Sequence, residues 1–203
     1  MSHLSEAQWR VLIWALLGAA FVMRCYFHIR VARRGEKILP DGGAIRREGG
    51  TAFIIRVVAF GFFVGLLVGY ASGAGWLLEA GFHLPGFVRL LALSCAIVAL
   101  AFWTWTQAVL GRYWSAQLAL RDRHELVTWG PYKYVRHPMY TAIFVWISSL
   151  AIVAANWFFV LAAAGTIAVL LVRTPKEENM MLSMFSARYQ EYMKHTGRYL
   201  PRL

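Results

Sequence analysis

Charge is scarce in this chain. Charged residues are 15% of its 203 amino acids, where a soluble domain carries about 25%. Acid is scarcer than base: 10 Asp and Glu stand against 21 Lys and Arg, a formal charge of +11. With 59% hydrophobic residues, this excludes a disordered chain, a fibrous repeat and an ordinary soluble domain. Cysteine is nearly absent. Cys25 and Cys95 each lie inside an apolar run, with no CxxC and no metal-ligand spacing, so neither a metal site nor a disulfide framework is expected. There is no GxGxxG motif, no internal repeat, no low-complexity tract and no long linker. In a soluble protein the basic excess would point to nucleic acid. Here the basic residues lie between long apolar runs, so the expected partner is an anionic membrane surface and not nucleic acid.

What the chain does have is span-length apolar sequence. Crossing about 30 Å of hydrocarbon takes about 20 mostly apolar residues. Residues 9–29, 52–72 and 87–110 each meet that need, the second interrupted by Arg56. The first is long for a signal h-region and lacks a basic n-region, so cleavage is not expected. Residues 139–172 carry no charge and are too long for one span. Asn156 divides them, predicting helices over about 139–154 and 157–173 joined by a tight turn at Ala155-Asn156. The expected fold is all-α: a polytopic membrane protein of about five transmembrane helices, forming one domain over residues 1–203.

Charge asymmetry predicts the orientation. Arg30, Arg33, Arg34, Lys37, Arg46 and Arg47 follow the first span. Arg112, Arg121, Arg123, Lys133 and Arg136 follow the third, and Arg173, Lys176, Arg188, Lys194, Arg198 and Arg202 follow the fifth. These hold 17 of the 21 basic residues, whereas segments 1–10 and 71–88 hold Arg10 alone. The N-terminus is expected outside and the C-terminus in the cytosol, with the inner membrane of a bacterial or archaeal cell as the setting. Trp9, Trp76, Trp114, Trp129 and Trp157 fall near span ends, where indole favours the interface. Glycine-rich residues 71–86 read as an external loop or a partly re-entrant segment, and Gly42-Gly43 and Gly49-Gly50 read as loop.

Two segments carry candidate chemistry. In residues 111–138, Gly130-Pro131 signals a turn, and Pro138 suits the first turn of the fourth span. His137 is then placed near a helix N-terminus, where free N–H groups favour an anion such as a carboxylate. A basic interfacial loop with a prolyl helix start explains the same residues. In the tail, Arg173 closes the fifth span. Thr174 with Glu177 fits a capping box with Pro175 at the first helical position, which explains Glu177 structurally and leaves Glu178 as the better chemical candidate. Met181, Leu182, Phe185, Tyr189, Tyr192 and Met193 recur at helical spacing, predicting a C-terminal amphipathic helix to about His195 on the membrane or over the bundle. Arg56 and Arg24, near the cytosolic ends of their spans, read as snorkelling side chains. His28, His83 and His195 are isolated.

The run from His124 to Tyr140 (His-x-Leu-Val-Thr-x-Gly-x-Tyr, then Arg-His-Pro-x-Tyr) resembles the cofactor motif of the isoprenylcysteine carboxyl methyltransferase family. Arg173, Glu177-Glu178, Leu182, Phe185, Tyr189, Tyr192 and Pro201 are similar to its second signature. The resemblance covers about the C-terminal 90 residues and implies an integral-membrane enzyme using S-adenosylmethionine, its cofactor and catalytic part at about 111–203. By motif matching, Leu126, Val127, Gly130, Tyr132, Val135, Arg136, His137, Pro138 and Tyr140 would line the cofactor. Glu177 and Glu178 would join them, Glu178 also orienting the acceptor, and Arg173 would hold a substrate carboxylate. The chain departs from the family in two places. Thr141-Ala142 follows Tyr140 where glycine is frequent two places on, and Phe185-Ser186 stands where Phe-Gly is frequent.

The chemistry is consistent with that implication. Methyl transfer from a sulfonium is an in-line displacement that positioning accelerates. A carboxylate acceptor is ionised at pH 7 and needs a cation, which an arginine supplies bidentately. An amine acceptor would need deprotonation. The expected function is methyl transfer to a lipidic or isoprenoid acceptor among the membrane lipids, at a carboxylate. A phospholipid N-methyltransferase, an NADPH-dependent sterol-type reductase and a non-enzymatic lipid-binding scaffold are the alternatives.

Overall fold

The computed structural model describes residues 4–33, 50–111 and 125–202. Arg34, Lys37, Arg46, Arg47, Arg112, Arg121, Arg123, His124, Trp114 and the Gly42-Gly43 and Gly49 patches lie outside the described residues, as does the side chain of Arg56. Among the described residues seven helices run in order: α1 Glu6–Ala32, α2 Gly50–Ser72, α3 Gly75–Glu79, α4 Gly86–Leu110, α5 Pro138–Ala154, α6 Trp157–Phe185 and α7 Ala187–His195, with a short 3-10 turn Gly130–Lys133 before α5. Among the described residues there are no strands beyond two isolated bridges. Helices α1, α4 and α6 are long and apolar enough to cross a membrane, and α5 is a shorter apolar helix.

The fold is an antiparallel packing of apolar rods. Helix α5 lies between α4, its most extensive neighbour, and α6. Small residues allow the close approach: Ala92, Ala96 and Ala99 of α4 and Ala142, Ala151 and Ala154 of α5 are all buried in the core. Large apolar side chains such as Val98, Leu161 and Val172 are exposed, as expected for rods solvated by lipid.

The α5–α6 hairpin turns at Ala155-Asn156, as the sequence predicts. Ala155 takes the left-handed conformation (φ 47°, ψ 51°) and its N–H reaches back to the carbonyls of Ala151 and Ile152. Asn156 caps α6 by accepting from the Phe158 N–H (3.0 Å) and donates Nδ2 to the Leu77 carbonyl (2.6 Å). The turn is thereby stitched to the connection between α2 and α4. That connection is not a plain loop, because α3 forms within it with Leu77 fully buried.

Two local expectations are corrected. No helix starts at Thr174: α6 runs unbroken through Pro175. The Thr174 hydroxyl donates back to Leu170 O (2.8 Å) instead of capping. Glu177 turns to Arg173 and Tyr140, so no capping box exists. The helix expected to reach His195 breaks at Ser186, which takes φ 43°, ψ −117°, and α7 is a separate nine-residue helix. Trp9, near the start of α1, packs inside the bundle. It is 3% exposed, and its ring lies 4.4 Å beneath the Arg89 guanidinium.

Candidate active site

The site is built where the start of α5, the end of α6 and the tail beyond α7 meet. Gly130 opens it with φ 61° and with Val109 so near that a Cβ would press on its side chain at 3.3 Å. This lets the 3-10 turn lie flat against the end of α4. Pro131 and Tyr132 are buried there, and Val135, Pro138 and Tyr140 are buried beside them. Leu126 and Val127 are half-buried on the approach.

The tail runs alongside residues 134–137 like a strap. The Arg136 N–H donates to Gly197 O (2.9 Å) and the His137 N–H to Arg198 O (3.0 Å). Thr141 Oγ1 donates to Tyr199 O (2.6 Å), and the Tyr199 hydroxyl donates to Thr174 Oγ1 (2.7 Å). Arg136 Nη1 donates to the carbonyls of Met193 and Thr196. The Tyr192 hydroxyl donates to Tyr132 O (2.5 Å). Thr141, one of the departures from the family pattern, is thus a strap ligand.

Glu178 is the hub. It is 3% exposed. Its Oε1 accepts from Arg136 Nε (2.9 Å) and its Oε2 from Arg198 Nη2 (2.5 Å). His137 Nε2 lies 3.4 Å from Oε1, buried and without the alignment of a hydrogen bond. Glu177 Oε1 accepts from the Tyr140 hydroxyl (2.6 Å) and from Arg173 Nε (2.6 Å), and Glu177 Oε2 lies 3.8 Å from His137 Nδ1. The His137 ring stacks on Tyr140 at 5.4 Å and 13°. The sequence reading gave Glu177 a structural partner and Glu178 none. The structure gives Glu178 two, because the strap supplies Arg198 from a segment with no periodic signal.

Electrostatics follow from this packing. The hydrogen bond to Glu178 pushes the Arg198 guanidinium up, so it stays charged. Burial, then the neighbouring Tyr192 and Glu177, pushes the Tyr132 phenol well above its usual range. Tyr132 is therefore a neutral donor, and its hydroxyl is buried without a partner among the described residues. Tyr132 Oη is an orphaned polar atom, and His137 Nε2 has the Glu178 carboxylate alone at 3.4 Å. With three guanidinium groups on the two carboxylates, that set fits a ligand that brings a carboxylate and hydrogen-bonding groups, as S-adenosylmethionine does. Among the described residues no group of His, Cys, Asp and Glu could hold a metal ion.

Comparisons with known proteins converge on the same region. Residues 91–183 match the model of the isoprenylcysteine carboxyl methyltransferase (ICMT) family. A protein-S-isoprenylcysteine O-methyltransferase of Dictyostelium discoideum is 32% identical over 82 residues, 40% of this chain and 35% of that protein. The nickel-cobalt-cadmium resistance protein NccN of Alcaligenes xylosoxydans xylosoxydans is 30% identical over 112 residues, 55% of this chain and 53% of that protein. The chain thus spans about half the length, or less, of these relatives. The structure of a eukaryotic intramembrane Ras methyltransferase, ICMT, superposes with a TM-score of 0.50 at 24% identity, over 75% of this chain and 53% of that one. This likeness shows that the ICMT fold is shared, and with the apolar helices it marks an integral membrane protein.

Proposed function

We propose that the protein is an S-adenosylmethionine-dependent methyltransferase that esterifies a carboxylate on a lipidic or isoprenoid acceptor. The observation that carries this reading is the convergence of His137 with Glu177 and Glu178, 40 and 41 positions further along the sequence, into one cluster whose nearest approach between ring and carboxylate is 3.4 Å. In this reading Tyr132, His137 and the segment from Leu126 to Tyr140 hold the cofactor, which when bound supplies an electrophilic methyl on a sulfonium. Glu178 keeps Arg136 and the strap in register around it. Arg173 is the cation for the acceptor carboxylate, and Glu177 fixes it by taking its Nε–H. No general base is needed, because the acceptor is already ionised.

The acceptor's chain has a place beside this cluster. A groove of about 330 Å³ between α4 and α5 is lined by Ser94, Cys95, Val98, Phe102, Thr141 and Val145. Val98 and Val145 are exposed, and Thr141 links the groove to the strap. In the proposed topology α1, α2, α4, α5 and α6 cross the membrane, with the N-terminus outside and α7 in the cytosol. At 17 residues α5 is about 26 Å long, short enough for its N-terminal end to sit at the inner interface. Neither N-methyl transfer nor reduction gains support from the family match.

Purified protein in detergent should bind S-adenosylhomocysteine by calorimetry, and Glu178→Ala should weaken binding at least tenfold. Incubated with labelled S-adenosylmethionine and fractionated membrane lipids, it should yield a product that releases label in mild base, as an ester does and an N-methyl group does not. No binding at millimolar ligand, or base-stable label, overturns the reading.

A further inference from the structure

The strap that pairs with residues 134–137 has an outer side that the catalytic cluster leaves unused. It follows the start of α5. The Tyr199 ring meets Phe144 edge to face at 5.3 Å, and Phe144 lies six residues into α5, about 9 Å along it. The next residue of the strap, Leu200, is 71% exposed. The chain then turns back, and Arg202 Nη1 donates to the Lys194 carbonyl near the end of α7 (2.8 Å). The proposed topology puts this start of α5 at the inner interface. A leucine held out at that level meets acyl chains rather than water.

Charge points the same way. The segment paired with the strap carries exposed Trp129, Lys133 and Tyr134, and the strap carries exposed Leu200 and Arg202. Tyr134 is joined to the strap directly, its carbonyl accepting from the Gly197 N–H (3.4 Å). Lys133 Nζ stands 5.9 Å from the Tyr134 ring centre. Neighbouring cations are held by the protein itself: Lys194 by Glu191 (2.9 Å) and Arg198 by Glu178 (2.5 Å). Lys133 and Arg202 meet no carboxylate among the described residues. Exposed rings and cations on two paired segments, with a leucine at the tip, match a layer of phosphates above hydrocarbon. A soluble anion would satisfy the cations and leave Trp129, Tyr134 and Leu200 in water, so the partner that fits is a lipid.

We propose that the strap tip, Leu200 with Arg202, and the adjoining Lys133 and Tyr134 form a docking surface for anionic phospholipid of the inner leaflet, and that lipid seated there holds the strap closed over the Glu178 cluster. The strap carries Arg198 onto Glu178, so closure of the strap and completion of the cluster are one event. The leaflet rests on the proposed topology, and naming S-adenosylmethionine as the ligand beneath the strap rests on the methyltransferase reading.

Strap closure is measured by hydrogen exchange at the Arg136 and His137 amides, which donate to the Gly197 and Arg198 carbonyls and are released when the strap lifts. Full-length protein is placed in nanodiscs of phosphatidylcholine alone or of an equal mixture with phosphatidylglycerol, with no methyl donor present. Two cations near an anionic surface, at about fivefold each, predict that protection rises about tenfold or more in the mixed discs. Lys133→Gln combined with Arg202→Gln should cut that response below about twofold. Glutamine at 202 keeps a donor for the Lys194 carbonyl. Leu200→Ser should lower protection in both discs alike and keep the response to headgroup charge, because the acyl chains are the same in both. Equal protection of wild type in the two discs, a charge response that survives the double substitution, or full protection in phosphatidylcholine discs on adding inorganic phosphate overturns the proposal. Should S-adenosylhomocysteine fail to bind while the two amides still respond to lipid charge, the methyltransferase reading falls and the docking surface stands.

Discussion

At the residue scale the informative position is Ser186. The sequence marks it as a departure, serine where the family frequently has glycine after phenylalanine. The structure shows what that costs. Ser186 sits at φ 43°, ψ −117°, a conformation glycine adopts freely and a side chain resists. Its N–H still closes the end of α6 on Leu182 O (2.9 Å), so the strain is held by the junction between α6 and α7. Ser186→Gly should therefore stabilise the protein by about 1 kcal/mol, read as a higher Tm in detergent. A lower Tm would show that the serine side chain contributes something the backbone does not require. Glu178 teaches the converse. The motif marked it as a candidate, but its ion pairs were not legible, because Arg198 approaches from a strap without helical or strand period.

Among the elements, the α5–α6 hairpin was legible to the residue. An uncharged run too long for one span must fold back, and asparagine is the residue in it that prefers a cap to a helix interior. Asn156→Ala removes both the cap and the bond to Leu77 O, and should cost about 2 kcal/mol in reversible unfolding. The continuity of α6 was not legible. Thr174-Pro175 reads locally as a helix start, and the hydroxyl of Thr174, the Arg173–Glu177 pair and the bond from Tyr199 carry the helix through instead. The strap was invisible for a different reason: its backbone bonds leave no pattern in side chains, and its side-chain bonds join residues with no periodic spacing. It does leave one glycine. A Cβ at Gly197 would collide with the Leu200 carbonyl. Gly197→Ala should unseat the strap, speed tryptic cleavage after Arg198 at least fivefold, and weaken S-adenosylhomocysteine binding, with the helical content by circular dichroism unchanged.

For the whole molecule, two charged knots sit at opposite ends of the rods. One is the Glu178 cluster. The other is Arg89, 4% exposed, which donates Nε to Val153 O (3.0 Å) and pairs with Glu6 (2.5 Å). It pins α1, α4 and α5 together over Trp9, and it escaped the sequence reading because it falls at a span boundary. Arg89 and Val109, whose side chain lies against Gly130 at the site, are 20 residues apart on α4, about 30 Å along the axis. That is close to the thickness of the hydrocarbon, so the proposed topology puts one knot at each interface. In that proposal the basic residues beyond α1 and α6 mark the cytosolic end. With Cys25 and Cys95 changed to serine, a cysteine replacing Glu79 should react with a membrane-impermeant maleimide added to intact cells. A cysteine replacing Lys194 should react only after the cells are opened. Both side chains are exposed, so access to the reagent, not burial, sets the result. Labelling of both sites from one side would remove the proposed membrane crossing between the knots, and with it the separation of cytosolic cofactor from lipid-borne acceptor.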